Sequence, residues 1–368
     1  MISNLKGRHI VICELIAIII LSSLIVKNHI DYEASTYASM YDTKKNFIKW
    51  VSFDVSSKAL ECAYKYDVES QNQEVKLNWI ELLAVLACRY GGDFSHFKEK
   101  HMADLVEKLR SGKETIASIS DGLKYYDYYL EAYTAVLGGM VGKYQIEVPD
   151  PSAPGGKRWE ERYGLKAFFP IAKNYPYSHY DDFGDSRSYG FKRKHLGHDI
   201  MGQVGTPIIA VESGYVEALG WNQYGGWRIG IRSFDKKRYY YYAHLRKNFP
   251  YNKDLKVGSI VQAGDVIGYL GRTGYSRSEN SNNINTAHLH FGIQLIFDES
   301  QKESVNEIWI DCYNLVKFLS RNRVETVKNN ETKEYRRVYN FIDPVAQYHI
   351  NHSIYKYDDY DIEIHIYE

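Results

Sequence analysis

Thr206-Pro207-Ile208-Ile209-Ala210-Val211, the turn Ser213-Gly214, and then Tyr215-Val216-Glu217-Ala218-Leu219 decide the fold class. Two short runs rich in β-branched and aliphatic residues, separated by turn residues, read as consecutive strands. The pattern continues downstream. Trp227 to Ile231 and Arg238 to Ala243 read as a hairpin with Asp235-Lys236-Lys237 at its tip. Val257-Gly258, Val261 to Gly264, and Val266-Ile267-Gly268-Tyr269 before Gly271 complete a series of short strands punctuated by glycine. Such a series predicts an antiparallel β domain.

Histidines bracket this series. His195-Leu196-Gly197-His198-Asp199 precedes it, Tyr242-Ala243-His244-Leu245 lies inside it, and His288-Leu289-His290-Phe291 closes it. Gly292, Ile293, Leu295 and Ile296 extend the last motif as a strand, on which side chains alternate faces. His288 and His290 therefore share one face while Leu289 and Phe291 point into the core. The two imidazoles are about 7 Å apart along the backbone, so both reach one groove without sharing one task. His195 and Asp199, four residues apart, fall on the same side of a helix or strand. A straight strand would hold them about 13 Å apart, too far to share an ion. The chain must bend between them, and Gly197 permits it. Two imidazoles and a carboxylate leave a fourth tetrahedral position for water, the pattern of a catalytic zinc. No cysteine joins the set, which argues against a closed structural site.

Taken together, these motifs resemble the M23 peptidases, the lysostaphin-like zinc endopeptidases that cut peptidoglycan peptides. The resemblance is carried by His195-x-Gly197-x-Asp199, Gly205-Thr206-Pro207-Ile208, Gly214-Tyr215-Val216 and Tyr242-Ala243-His244-Leu245. It continues through Val261-x-x-Gly264-Asp265-x-Ile267-Gly268, Gly271-x-Thr273-Gly274 and His288-Leu289-His290-Phe291, and spans about residues 160 to 345. It implies that His195, Asp199 and His290 bind zinc, and that His244 and His288 are a catalytic pair facing the attacking water. It also implies a tyrosine just upstream of the first ligand that holds the developing oxyanion, and Tyr189 stands in that place. Phe183-Gly184-Asp185-Ser186-Arg187 resembles the family's approach segment with one extra residue, and Phe341-Ile342-Asp343-Pro344 its closing element. One departure is His198, where the family carries an apolar or small residue. It reads as a solvent-facing or supporting histidine, or as one that hydrogen-bonds near the metal. The polar loop Tyr275 to Asn285 is expected to form a rim of the groove.

The remainder of the chain is of different texture. Over 368 residues the formal net charge is zero, so nothing suggests a nucleic-acid partner. The four cysteines, Cys13, Cys62, Cys88 and Cys312, are scattered and read as small buried residues, with a Cys62–Cys88 disulfide as the alternative. Ile10 to Val26 is the strongly apolar run, about 25 Å long as a helix and near the lower limit for crossing a bilayer. It follows Lys6 and Arg8 and lacks a small-x-small cleavage site, so it reads as an uncleaved signal anchor, with a cleaved signal peptide as the alternative and everything beyond residue 30 outside the cell. Between residues 34 and 145 apolar positions recur at helical spacing. Trp79 to Tyr90 ends at Gly91-Gly92, Leu105-Val106-Leu109 ends at Ser111-Gly112, and Tyr125 to Tyr133 ends at Gly138-Gly139. Four or five helices are expected. Glu81 and Glu131 fit the polar sides of these helices better than the paired carboxyls of a glycosidase. Pro149 to Gly156, with three Pro and two Gly, has the composition of a linker.

The expected organisation is multidomain and α+β overall. Residues 1–30 form a cytoplasmic stub and transmembrane anchor, 31–148 a small all-α domain, 149–159 a linker, 160–345 a mainly antiparallel β M23-like zinc peptidase domain, and 346–368 a tail. The expected function is a membrane-anchored zinc endopeptidase with its catalytic domain on the cell-wall side. It would act on peptidoglycan peptides and meet a protein partner through the helical domain. The alternative is a catalytically inactive scaffold of the same fold that binds peptidoglycan or a protein. A biotinyl- or lipoyl-type carrier, suggested by Val261 to Gly268, lacks the exposed lysine that such a carrier presents.

Overall fold

The computed structural model describes residues 41–42, 47–188, 192–302 and 304–352. The expected membrane segment Ile10–Val26, Tyr189, and the tail beyond residue 352 lie outside the described residues. Among the described residues no helix is long and apolar enough to cross a membrane.

Among the described residues five helices precede the main sheet: α1 (Ser57–Ser70), α2 (Trp79–Tyr90), α3 (Glu99–Arg110), α4 (Ile116–Ser120) and α5 (Tyr126–Leu137). Their ends follow from local chemistry. The Asn78 side chain accepts from the Ile80 and Glu81 amides at the start of α2, and Gly91 closes it in the left-handed conformation (φ 65°). Between those caps eight of twelve residues are buried, so α2 is the central helix of the layer. Helix α3 instead buries one stripe, Met102, Leu105, Val106 and Leu109, at the i, i+3, i+4, i+7 spacing of a surface helix.

The Pro/Gly stretch expected to be a linker is the tip of a long hairpin. Strand β1 (Val141–Pro149) pairs antiparallel with β2 (Lys157–Leu165) over their whole length. Turn residues suit a hairpin tip as well as a connector, so composition alone does not separate the two.

The main sheet uses β3 (Ser178–His179), β4 (His198–Met201), β6 (Gly214–Asn222), β7 (Gly226–Ser233), β8 (Arg238–Ala243), β9 (Ile260–Val261), β11 (His288–Leu295) and β12 (Ile308–Trp309). Their order is β9-β6-β7-β8-β11-β4-β3, antiparallel throughout, with β12 beside the far end of β11. Strand β5 (Pro207–Ile209) pairs with β10 (Val266–Tyr269) in a second small sheet. The closing element, β13 (Phe341–Ile342), joins β1 at the edge of the hairpin. Helix α6 (Tyr313–Leu319) lies between and packs Phe318 against Tyr64 of α1 and Trp79 of α2.

One apolar core runs through both the helical layer and the sheet. A buried polar clamp reinforces the contact. Arg238 donates to the Thr134 and Ala135 carbonyls at the end of α5, while Glu212 and Asp235 take its remaining donors. Gly139 makes that approach possible, since a Cβ there would stand 2.3 Å from the Glu212 carboxylate. The thiols of Cys62 and Cys88 are free, so the alternative of a disulfide between them is not realised.

Candidate active site

The polar face of β11 positions the site. Leu289, Phe291, Ile293 and Leu295 are fully buried on the core side, which leaves His288, His290, Gly292 and Gln294 on the other. Register supplies the first partner, because His290 pairs directly with Asp199 of β4. Directly opposed side chains in an antiparallel pair have Cβ atoms about 5 Å apart. A slip of one residue would turn either group into the core. His195 comes in from the loop before β4. Gly197 is needed there, though for a different reason from the expected bend: a Cβ at this position would stand 2.5 Å from the His290 ring.

The three side chains converge. His195 Nε2 lies 3.1 Å from Asp199 Oδ1 and 2.9 Å from His290 Nδ1, and His290 Nδ1 lies 3.0 Å from the same oxygen. Donor atoms of a tetrahedral zinc with bonds of about 2.0–2.1 Å are separated by about 3.3 Å, so the cluster fits such an ion with little adjustment. The donor set, two imidazoles and a carboxylate, is also of the right chemistry, and these three residues form a group able to hold a metal ion.

A buried network supports His195. Its Nδ1 faces Asp182, 3.0 Å from the backbone carbonyl and 3.2 Å from the carboxylate. An Nδ1–H donated there leaves the Nε2 lone pair directed at the cluster, the usual arrangement for a ligating histidine. The other carboxylate oxygen of Asp182 is 3.4 Å from His198 Nδ1, and His198 Nε2 is 2.7 Å from His179 Nδ1. The tautomers follow from Asp182: His198 donates to it, and His179 donates to His198. His198 is thus a buried supporting residue rather than a solvent-facing one. Arg187 completes the network, 3.0 Å from Asp182 and 3.7 Å from Asp199. Asp182 and His179 carry no motif of their own. A histidine and an aspartate three residues apart, shortly before the first ligand, were the available signal.

Electrostatics agree with this arrangement. Burial works against the charge on Asp199, yet His195 and His290 outweigh it and hold its carboxyl well below the usual carboxylate range. Burial likewise opposes charge on His195, and hydrogen bonds to Asp182 and Asp199 overcome it, raising its pKa to about 9. A cation at the cluster competes with that proton for the same lone pair. His290 is lowered by burial against the pull of Asp199.

His244 and His288 face the same space. His244 Nδ1 donates to the Thr273 carbonyl (2.9 Å), and His288 Nδ1 donates to the Thr286 carbonyl (2.8 Å). Both therefore present Nε2 to the cavity. Their ring centres are 4.8 Å apart, and His244 lies 5.8 Å from His290. His244 adopts a left-handed backbone conformation (φ 62°), uncommon for a residue with a side chain and frequent at functional positions. Burial, followed by the neighbouring His288 and His290, pushes its pKa well below the ordinary histidine value.

All five expected histidine and aspartate residues line one cavity of about 300 Å³. Tyr275, Asn283, Ile284 and Asn285 close one side of it, so the polar loop does form a rim. Tyr189 lies outside the described residues. Tyr275, whose ring centre is 5.8 Å from that of His244, is the aromatic side chain this cavity presents.

Comparison with known proteins gives a consistent picture. The sequence model of peptidase family M23 matches residues 193–306. A stretch of 125 residues is 40% identical to an L-Ala–D-Glu endopeptidase of Bacillus subtilis (strain 168), covering 34% of this chain and 37% of that one. Over 98 residues the chain is 41% identical to lysostaphin of Staphylococcus simulans, 26% of this chain and 17% of that protein. The solved catalytic domain of lysostaphin from the same species is 32% identical, covering 39% of this chain and 93% of the domain at a TM-score of 0.29. The chain spans little more than a third of the Bacillus relative and less of full-length lysostaphin. The segment 193–306 is thus similar to peptidase family M23.

Proposed function

We propose that this chain is a zinc-dependent endopeptidase that hydrolyses peptide bonds in peptidoglycan stems or cross-bridges. The observation that carries the reading is the meeting of His195, Asp199 and His290 at one point of a cavity that also receives His244 and His288. When bound there, zinc would supply Lewis acidity, polarising a water and a carbonyl oxygen. The histidine pair handles the proton. His244, kept neutral by burial, and His288 each turn an Nε2 lone pair towards the cavity. One takes a proton from the attacking water as the new C–O bond forms. The proton is returned to the amine nitrogen as the C–N bond breaks. Tyr189, or Tyr275 on the cavity wall, would donate to the carbonyl oxygen as its charge develops.

The similarity to the L-Ala–D-Glu endopeptidase of Bacillus subtilis supports a wall substrate. In this reading Ile10–Val26 anchors the chain in the cell membrane as a single pass, and the β domain works on the wall side. The helical layer, residues 57–137, positions the peptidase or engages a protein partner. Digestion of purified peptidoglycan by the full chain, followed by mass analysis of the released fragments, tests the proposal. New free amino termini that vanish with a chelator and return with zinc are expected. Unaltered muropeptides in the presence of zinc would leave only the inactive-scaffold alternative.

A further inference from the structure

A second cavity opens on the other side of His290, about 420 Å³ in volume, and shares His290 and Arg193 with the first. The sheet builds its floor. Beyond His290 the polar face of β11 continues through Gly292 to Gln294, which pair with Tyr241 and Tyr239 of β8. Gly292 keeps the floor low, because a Cβ there would stand 2.8 Å from the Trp309 ring that forms one wall. Gln294 is only 2% exposed, yet its side-chain Nε2 has no hydrogen-bond partner. The Nε atoms of Arg193 and Arg228 are buried and unpartnered in the same way.

Charge is equally one-sided. Arg193, Lys194, Arg228 and Lys302 line this cavity against a single carboxylate, Glu307, which accepts from the Trp309 indole. Lys302 is paired with Glu217. Neither Arg193 nor Arg228 makes an ion pair with a carboxylate among the described residues. Buried donors without partners cost stability, and three of them gathered at one cavity call for an acceptor. Several side chains bearing N–H donors gathered around one cavity suit a planar two-oxygen anion.

We infer that this pocket binds a carboxylate of the peptide substrate, close to the bond presented at the His195–Asp199–His290 cluster, with Arg228, Arg193 and Gln294 as its donors. The inference rests on the peptidase reading above and sharpens it: the preferred substrate carries a free carboxylate beside the scissile bond, and conversion of that carboxylate to an amide removes the recognised group. Continuity with the cluster through His290 favours a group on the cleaved peptide itself over a separate anionic polymer.

The test uses synthetic stem peptides, monomeric and cross-linked, whose carboxylates are converted to amides one at a time. They are compared by kcat/KM with the zinc-loaded full chain, and by calorimetric binding to the metal-free full chain. Amidation at one position should lower kcat/KM about 10- to 100-fold and weaken binding in parallel. In Arg228→Gln, and separately in Arg193→Gln, the acid-to-amide ratio should fall towards one. Cleavage of every wild-type acid and amide at equal kcat/KM would overturn the pocket while leaving the peptidase reading intact. Acid-selective binding without cleavage of any peptide would defeat the peptidase reading and retain the pocket. Absence of both selective binding and cleavage would overturn both. A variant that lost activity but kept the wild-type acid-to-amide ratio would also overturn the assignment, since the arginine would then be structural.

Discussion

Strand β11 and helix α2 are both central to their layers, and they spend their residues differently. Helix α2 buries eight of twelve side chains, all apolar, and its caps are supplied by its immediate neighbours Asn78 and Gly91. Strand β11 buries one face in the core and turns the other towards groups far away in sequence. Its His290 meets Asp199, 91 positions earlier, and His195, 95 positions earlier. The helix is thus a local object that contributes packing, whereas the strand carries the proposed chemistry on the face turned away from the apolar core. Substitutions in the two should therefore fail in different ways.

The largest effect is expected from removing a cluster member. His290→Ala should abolish stoichiometric zinc binding and lower peptidoglycan hydrolysis by at least about a thousandfold, with chelation of the wild type giving a similar loss. Metal analysis and wall digestion on the same preparation check this, and a variant that digests normally without zinc would remove the metal from the reaction. Next come the helpers. His288→Ala or His244→Ala should cost about 10²–10⁴-fold in turnover while zinc content stays near the wild-type value. Loss of zinc in step with activity would make them ligands instead. In the helix the outcome reverses. Leu86→Ala, in the fully buried part of α2, should destabilise the fold by about 2–5 kcal/mol yet leave kcat of the folded fraction within a few fold. A large fall in kcat without a fall in melting temperature would show that the helical layer shapes the site.

The same contrast explains what was legible in the sequence. Helices α2, α3 and α5 could be read because period and stop signals sit within a dozen residues: Gly91, Ser111 and Gly138 each follow the last turn. His288 and His290 could be placed on a common face because strand alternation is also local. Which distant groups that face meets was legible only through family resemblance, since register is set by pairing across 91 residues. Two features were misjudged for physical reasons. The stretch 149–156 turns a hairpin because β1 and β2 find each other along their full length, which its composition does not reveal. Gly197 is required by the proximity of the His290 ring, a long-range contact that reads locally as a bend. Asp182 and His179 offered only their spacing as a signal, because their roles arise when the segment before His195 pairs alongside β4.

That buried support lies between the two behaviours and should be affected by both kinds of loss. Asp182→Asn keeps the shape of the side chain and removes the negative charge that orients His195. It should weaken zinc binding about 10- to 100-fold with little change in melting temperature. Competition with a chromophoric chelator measures this, and unchanged affinity would reduce Asp182 to packing.

The smallest effect is a pH dependence at His179. Burial, and then the neighbouring His198, lower its pKa from 6.5 to about 4. Its neutral form donates to His198, which in turn donates to Asp182. The unfolded chain takes up a proton near pH 6.5 while the folded chain resists until about pH 4, so between these values the unfolded state binds more protons. Stability from this group is complete above pH 6.5 and declines as the pH falls through the window. Because the side chain is only partly buried, the loss at the acid end should be about 1 kcal/mol, or about 2 °C in melting temperature. His179→Gln retains a donor amide and cannot titrate, so it should flatten that part of the curve while leaving the melting temperature at pH 7.5 almost unchanged. Parallel curves for the two proteins between pH 4 and 6.5 would mean that another group governs the acid limb and that the His179–His198 contact is titrationally silent.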